Sequence, residues 1–355
     1  MEPMRILHLL PDVREVGNGI VNSTVDLMCE ESSLGHEVSV VSSGGEYEAL
    51  LVEHGVTHVT LSMTRSFSQA LETRRRLRDV IGSANAEILH AHTVTTAVAG
   101  RGAYLRARPP LVTTVHNEFN RSAPLMAVGD RVIAPSEAIA SALRRRGLPR
   151  RKLRVVLNGP LGGPRTKGLL GAEPIELQHP AVVTIAGMYE RKGIGDLIDA
   201  FGDVADHVPN SNLYLVGEGP DRLQFERQAS GSRARDRIHF VGYQREPSRY
   251  LASADVFVLA SRRDPSPLVV PEARQLGCAI VATDADGIPE LLDMGKAGML
   301  VPVGNREALA GAIEKVLTDD ELRSSLRRAA LENIERLSVG RVAQETLAVY
   351  RELVG

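Results

Sequence analysis

Only two cysteines, Cys29 and Cys278, occur in the 355 residues, one in each half of the chain. So few thiols exclude a disulfide framework and make a reducing cytoplasm the expected setting, with both side chains serving as small buried apolar groups. A charge surplus is lacking as well. The 42 Lys and Arg against 44 Asp and Glu leave a formal charge of −2, which offers no field to attract a nucleic acid. No run of about 18 apolar residues is present to span a bilayer. The opening Met-Glu-Pro-Met-Arg passes straight into a short apolar strand, without the longer apolar run and cleavage site of a secretory signal. The expectation is a cytoplasmic chain, soluble or peripheral at the inner membrane face.

What the sequence does have is enough apolar material for a sizeable core: 43% apolar and 24% charged residues, close to ordinary globular averages. Its length exceeds what one core usually fills, so two domains are expected. Short apolar runs rich in β-formers recur with helical patterns between them. In the first half they are Arg5–Leu10, Glu37–Val41, Val56–Leu61, Glu87–His92, Leu111–His116, Arg131–Ala134 and Arg154–Leu157. A second series follows at Ala181–Ala186, Asn212–Val216, Arg237–Val241, Asp255–Ala260, Cys278–Thr283 and Met299–Val301. Strand and helix in alternation argue for parallel sheets with helical crossovers. The Gly- and Pro-dense stretch 161–180 reads as a linker with a hinge. The reading is therefore a Rossmann-like domain over 1–160, a second over 181–338, and a C-terminal helix over 339–355 that packs back on the first. Two doubly wound sheets facing each other place ligands at the carboxyl ends of their strands, in a cleft between the halves.

Three segments carry the chemistry. Gly187-Met188-Tyr189-Glu190-Arg191-Lys192-Gly193 joins a strand to a helix, so two cations and two glycines meet a helix N-terminus, where backbone N–H groups favour an anion such as a diphosphate. Gly217-Glu218-Gly219-Pro220 also follows a strand. Without a third spaced glycine it argues against a nicotinamide dehydrogenase and is equally a plain strand-to-helix turn. The segment Ser261–Ala273 sets Asp264 near a strand end and Glu272 in the ensuing helix, two carboxylates able to accept hydrogen bonds from different sugar rings.

Asp264 through Glu272 resembles the acidic-x7-acidic motif of the family-4 retaining glycosyltransferases with the GT-B fold. Gly187…Lys192-Gly193, Gly217-Glu218-Gly219-Pro220, Phe240–Tyr243, Ala254–Val258 and Gly287-Ile288-Pro289-Glu290 follow in that family's order. The first half is similar through Gly19-Ile20, Leu34–Val38, His90-Ala91-His92, Thr114–Asn117, Ala134-Pro135-Ser136 and Asn158-Gly159. The resemblance implies that the first domain binds the acceptor and the second a nucleotide-sugar donor, with no metal or other cofactor. It implies that Lys192 neutralises the diphosphate, Glu272 binds the ribose, Asp264 contacts donor-sugar hydroxyls and His116 lies near the transferred sugar. Arg191, Gly217, Gly219, Tyr243, Ser266, Leu268 and Val269 complete the expected donor contacts, with Asn18 and Gly19 in the first loop. The implied acceptor is a glycan, a lipid-linked molecule or a small molecule.

Four positions depart from the family pattern: Asn18 for the first glycine of a Gly-Gly pair, Met188 for a phosphate-binding arginine, Asp264 for glutamate, and Ser266-Pro267 for Phe-Gly. Pro267 has no N–H to give a phosphate, and Arg191 is the candidate to replace the missing arginine. Pro267 and Asn18 keep open a sugar-nucleotide-binding protein without turnover, and a GT-B-like sugar-nucleotide epimerase is the rival reading among enzymes. His90 and His92 share a strand face and could join His116 around a metal, but no carboxylate or Cys cluster supports them. Two basic stretches, Glu72–Arg78 with four arginines and Arg144–Arg154 with seven cations, are solvated faces or a contact with anionic lipid.

Overall fold

The structure is a computed structural model and describes residues 2–63, 70–103, 109–116 and 123–354. The chain divides into two compact units, one of Met1–Arg165 with Leu337–Gly355, the other of Thr166–Arg336. The first unit runs β1 (Arg5–Leu9), α1 (Gly19–Ser33), β2 (Glu37–Ser42), α2 (Glu48–Glu53), β3 (Thr57–Thr60), α3 (Ala70–Ser83), β4 (Ile88–Ala91), α4 (Val94–Ala103), β5 (Leu111–Thr114), β6 (Arg131–Ala134), α5 (Glu137–Arg145) and β7 (Leu153–Val155). Its sheet is parallel throughout, in the order β3-β2-β1-β4-β5-β6-β7.

Alternation along these strands sorts side chains to opposite faces. Leu7, Leu9, Leu89 and Leu111 pack on one side. Ile6, Ile88 and Val112 pack on the other, with Val25 and Met28 of α1. His8, His90 and Thr114 share the parity of this second set, which directs them toward α1. Leu347 and Tyr350, from the C-terminal segment, lie there too.

The second unit runs β8 (Ala181–Ile185), α6 (Ile194–His207), β9 (Asn212–Val216), α7 (Arg222–Ser230), β10 (Ile238–Gly242), α8 (Ser248–Ala252), β11 (Val256–Leu259), α9 (Val269–Gln275), β12 (Ile280–Thr283), α10 (Ile288–Leu291), β13 (Met299–Val301), α11 (Arg306–Thr318) and α12 (Asp320–Ala330). Its parallel sheet has the order β10-β9-β8-β11-β12-β13. Helix α13 (Val339–Val354) then returns to the first unit. There Leu347 and Tyr350 enter the core beside α1, and Glu352 takes both Arg131 (2.8 Å) and Arg154 (2.6 Å).

The structure corrects some expected boundaries. Residues 161–180 are not a free linker. Arg165 pairs with the buried Asp26 at 2.8 Å, Leu169 is buried, and the Ile175 N–H donates to Ser253 Oγ at 2.8 Å. Glycine serves close packing here: a Cβ on Gly163 would meet the Asp26 carboxyl carbon at 2.8 Å. Strand β7 ends at Val155 rather than Leu157. Cys29 and Cys278 are buried thiols that form no disulfide, and burial pushes the Cys278 thiol up to about 12. Among the described residues no helix is long and apolar enough to cross a membrane.

Candidate active site

In the second unit the chain leaves β8 toward β9 on one side and later adds β11 on the other. The carboxyl ends of β8 and β11 thus flank the point where strand order reverses, the position at which open α/β sheets bind ligands. Lys192 follows β8 and Asp264 lies five residues past the end of β11. They meet there: Lys192 Nζ donates to Asp264 Oδ2 at 2.5 Å, with side chains 15% and 6% exposed. The two expected donor contacts are partners of each other, each satisfying the other's charge in a nearly dry site.

The surrounding loops hold this pair in place. The Arg191 carbonyl accepts the N–H groups of Arg262 (2.8 Å) and Arg263 (3.1 Å), tying the β8 loop to the β11 loop. Asp286 accepts the Asp264 N–H at 2.8 Å and pairs with Arg263, and Ser261 Oγ donates to Asp264 Oδ2 at 3.2 Å. Gly193 caps α6 at φ +64°, and a Cβ there would stand 1.9 Å from the Ala260 carbonyl oxygen. The β11 loop can approach only because that position is glycine. Gly217 makes the corresponding approach on the other side, at φ +139° against the Ala186 carbonyl. Gly219 lies against Met188, whose N–H donates to Glu218 O and whose carbonyl accepts the Asp221 N–H. This glycine pair is thus accounted for by packing between loops.

Other expected residues divide. Glu272 stands in the first turn of α9, partly buried, as the motif spacing requires. The same helix carries Arg274, fully buried, with its guanidinium on the carbonyls of Leu291, Ala330 and Glu332 and on Asp293. Arg274 pins the helix that presents Glu272, and the basic residue alone does not announce that role in the sequence. Ser266 is buried, Leu268 and Val269 lead into α9 partly exposed, and Tyr243 is 43% exposed just past β10. Met188 is fully buried in the apolar core and offers nothing to a ligand. Arg191 stacks its guanidinium 5.4 Å from the Tyr189 ring centre.

In the first unit Asn18 caps α1, its Oδ1 accepting the Ile20 N–H at 3.1 Å, so it takes a structural role beside Gly19. His116, two residues past β5, bonds through Nε2 to His92 Nδ1 at 3.1 Å; Asn117 lies outside the described residues. Desolvation by burial lowers the His116 imidazole to about 4, and His90 and His92 fall well below the ordinary range for the same cause first. His8, absent from the expected set, joins them: its Nδ1 meets His92 Nε2 at 3.0 Å and its Nε2 meets Glu31 Oε2 at 2.7 Å. The candidate metal ligands are therefore His8, His90 and His92, with ligand atoms within 4.8 Å of one another, and not His116. Every ring nitrogen of these three already has a hydrogen-bond partner, His90 bonding Tyr350 and Thr114. A metal would have to displace several of those bonds. Of the seven cations in Arg144–Arg154, Arg144 pairs with Glu137, Lys152 caps the Ala127 and Gly129 carbonyls, and Arg154 holds Glu352.

Two parallel doubly wound units, the second with a cation and a carboxylate at its switch point, define a GT-B-type α/β protein. Anabaena Alr3699/HepE in complex with UDP-glucose shares this fold with a TM-score of 0.83 at 22% identity, over 98% of this chain and 99% of its own. The glycosyl transferases group 1 model matches residues 171–333 and the glycosyltransferase family 4 model residues 17–159. The phosphatidyl-myo-inositol mannosyltransferase of Mycobacterium leprae is 30% identical over 296 residues, 80% of this chain and 78% of that one. Its counterpart in Mycolicibacterium smegmatis is 27% identical over 99% of this chain and 95% of its own. The chain belongs to glycosyltransferase family 4, and it is a glycosyltransferase of the hexosyltransferase type.

Proposed function

We propose that the enzyme moves a hexose-type sugar, with retention, from a nucleoside-diphosphate sugar to a hydroxyl of a glycan, lipid-linked or small-molecule acceptor. The observation that carries this reading is the Lys192–Asp264 pair at the switch point of the second unit. An entering diphosphate exchanges with Asp264 for the Lys192 ammonium, and the released carboxylate accepts a sugar hydroxyl. Each charge-assisted bond is worth about 1.5–3 kcal/mol. Exchange leaves neither charge unpaired in a site this buried, so donor entry avoids the penalty of stripping one ion of its partner. Glu272 takes the ribose, and Arg191 stands beside Lys192 as a second cation for the leaving group.

In this reading the departing diphosphate receives the acceptor proton, while the enzyme contributes orientation and cationic stabilisation. Counter-charge comes from Lys192, so no metal takes part and a chelator leaves the rate unchanged. UDP-glucose in the complex of the Anabaena neighbour supports a nucleotide-sugar donor, and the names of the mannosyltransferase relatives support a lipid acceptor. A groove lined by Ser141, Arg144, Arg145, Arg150, Leu153 and Val155 favours contact with an anionic surface, which binding to anionic liposomes at low salt tests.

The deciding experiment is a thermal-shift panel of nucleoside diphosphates and their sugar conjugates, followed by transfer assays with the stabilising donor. Ligand at 100 times its Kd adds about 2.7 kcal/mol. A selective shift lost in Glu272→Ala supports the donor site, whereas no shift with any nucleotide overturns it.

A further inference from the structure

Asp264 is held by its main chain as well as by its carboxylate. Its N–H donates to Asp286 Oδ2 at 2.8 Å, and its carbonyl accepts the Gly287 N–H at 3.2 Å. Both partners come from the loop between β12 and α10, so one short loop grips Asp264 at both of its main-chain polar groups. Arg263 Nε reaches the same Asp286 carboxylate at 3.1 Å and 3.3 Å. On the Asp264 carboxylate, Oδ2 takes both Lys192 (2.5 Å) and Ser261 (3.2 Å), while Oδ1 accepts no hydrogen bond among the described residues. Oδ1 is therefore the oxygen left for a ligand hydroxyl.

Asp286 stands at φ +44°. Aspartate enters this region more readily than most residues, and glycine more readily still. The glycine of this loop is one place further on, where Gly287 has φ −91°, a value open to any residue. Backbone conformation alone thus favours glycine at 286, and the carboxylate there is accounted for by what it binds. Strain of this kind beside a ligand position points to function. Aspartate has only two side-chain torsions, so its carboxylate follows its main chain closely. Once a diphosphate draws Lys192 away, Oδ2 retains Ser261 alone, and the grip on the Asp264 main chain keeps the carboxylate in place.

We propose that Asp286 is a positioning residue for recognition of the donor sugar: its carboxylate fixes the Asp264 N–H and so holds Asp264 Oδ1 on a hydroxyl of the transferred sugar. This role rests on the donor site proposed above. Asp286 itself touches neither nucleotide nor sugar, and Lys192 and Glu272 keep their places without it. The Arg263 guanidinium, 47% exposed, only orients the Asp286 carboxylate, which is 17% exposed.

A first test needs no ligand. Amide hydrogen exchange of the full chain is expected to show the Asp264 N–H protected, with protection lost in Asp286→Gly and kept in Asp286→Asn, which tolerates the same φ and retains an acceptor oxygen. The second test compares thermal shifts from the stabilising nucleoside diphosphate and from its sugar conjugate. In the wild type the conjugate is expected to give the larger shift. In Asp286→Gly the diphosphate shift should persist and the increment from the sugar disappear. There kcat should fall by about tenfold to a hundredfold, as for a group misplaced by about 1 Å, with acceptor KM little changed. The Tm should stay within about 4 °C, because release of the positive φ offsets the lost hydrogen bonds. Asp286→Asn should recover kcat to within about threefold of the wild type, and Arg263→Ala should cost about twofold at most, against the hundredfold scale of a misplaced group. A lowered Tm with an intact sugar increment, an unprotected Asp264 N–H in the wild type, or the full loss reproduced by Arg263→Ala overturns the role. If no nucleotide shifts the wild type, the donor site fails and the role falls with it. If the wild type responds and Asp286→Gly responds identically, the positioning role alone fails.

Discussion

Lys192 and Asp264 show why a buried pair must be tested from both sides. Removing one ion strands the other, at a cost of about 3–5 kcal/mol, whereas replacing both with apolar groups of similar volume is close to neutral. Lys192→Met should therefore lower the urea midpoint strongly, and Lys192→Met with Asp264→Leu should recover most of it. Neither variant should show a thermal shift with nucleotide. If the double variant regains nucleotide binding, the pair is structural only. The histidines give a second prediction. An unfolded imidazole titrates near 6.5, and the folded values of His90, His92 and His116 lie below this. Stability is therefore fully present above about pH 6.5 and declines as pH falls toward about 4, where the unfolded chain binds more protons. Each histidine contributes up to about 1.4 kcal/mol per pH unit. Urea midpoints across that window measure the slope, and a flat line contradicts neutral burial.

At the scale of loops and helices, Gly217→Ala should destabilise the second unit by at least about 2 kcal/mol, since the backbone angle and the Ala186 carbonyl both resist a Cβ. A calorimetric scan reads this directly. Helix α13 gives a milder case. The Arg154 guanidinium, by hydrogen bonding first, holds the Glu352 carboxyl down from its usual range to about 2. This tether is complete above about pH 4.5 and released as pH falls toward 2. Because the carboxylate is about one-third exposed, Glu352→Gln should cost less than about 1 kcal/mol. Both sheets were legible in the sequence, because fully covered parallel strands read as apolar runs between helices. Lys192, Asp264 and Glu272 were legible by spacing, but their pairing was not, since 72 residues separate the first two. Met188 stands where the family pattern has a phosphate-binding arginine, and its burial in the core depends on tertiary packing that the sequence does not display. Glu31 left a faint signal, a carboxylate on the helix face defined by Val21, Thr24, Val25 and Met28. Its partner His8 and neighbour Tyr350 come together only through tertiary packing.

Taken as a whole, the chain closes its first unit with its last helix, so the second unit is inserted within the first. Residues 166–336, expressed alone, should fold cooperatively, whereas 1–165 should not, because Leu347, Tyr350 and the Glu352 tether are then missing. Adding 337–355 as a separate peptide should restore helical signal and hydrogen-exchange protection in α1 and β1; failure to do so contradicts the closing role of α13. Synthesis runs in one direction, and the usual order is that the N-terminal domain folds first. Here that order is inverted. The inserted unit is complete before α13 is made, and the first unit must wait with the apolar face of α1 uncovered until α13 emerges. A translation pause or premature stop ahead of α13 therefore leaves the earlier-made first unit exposed.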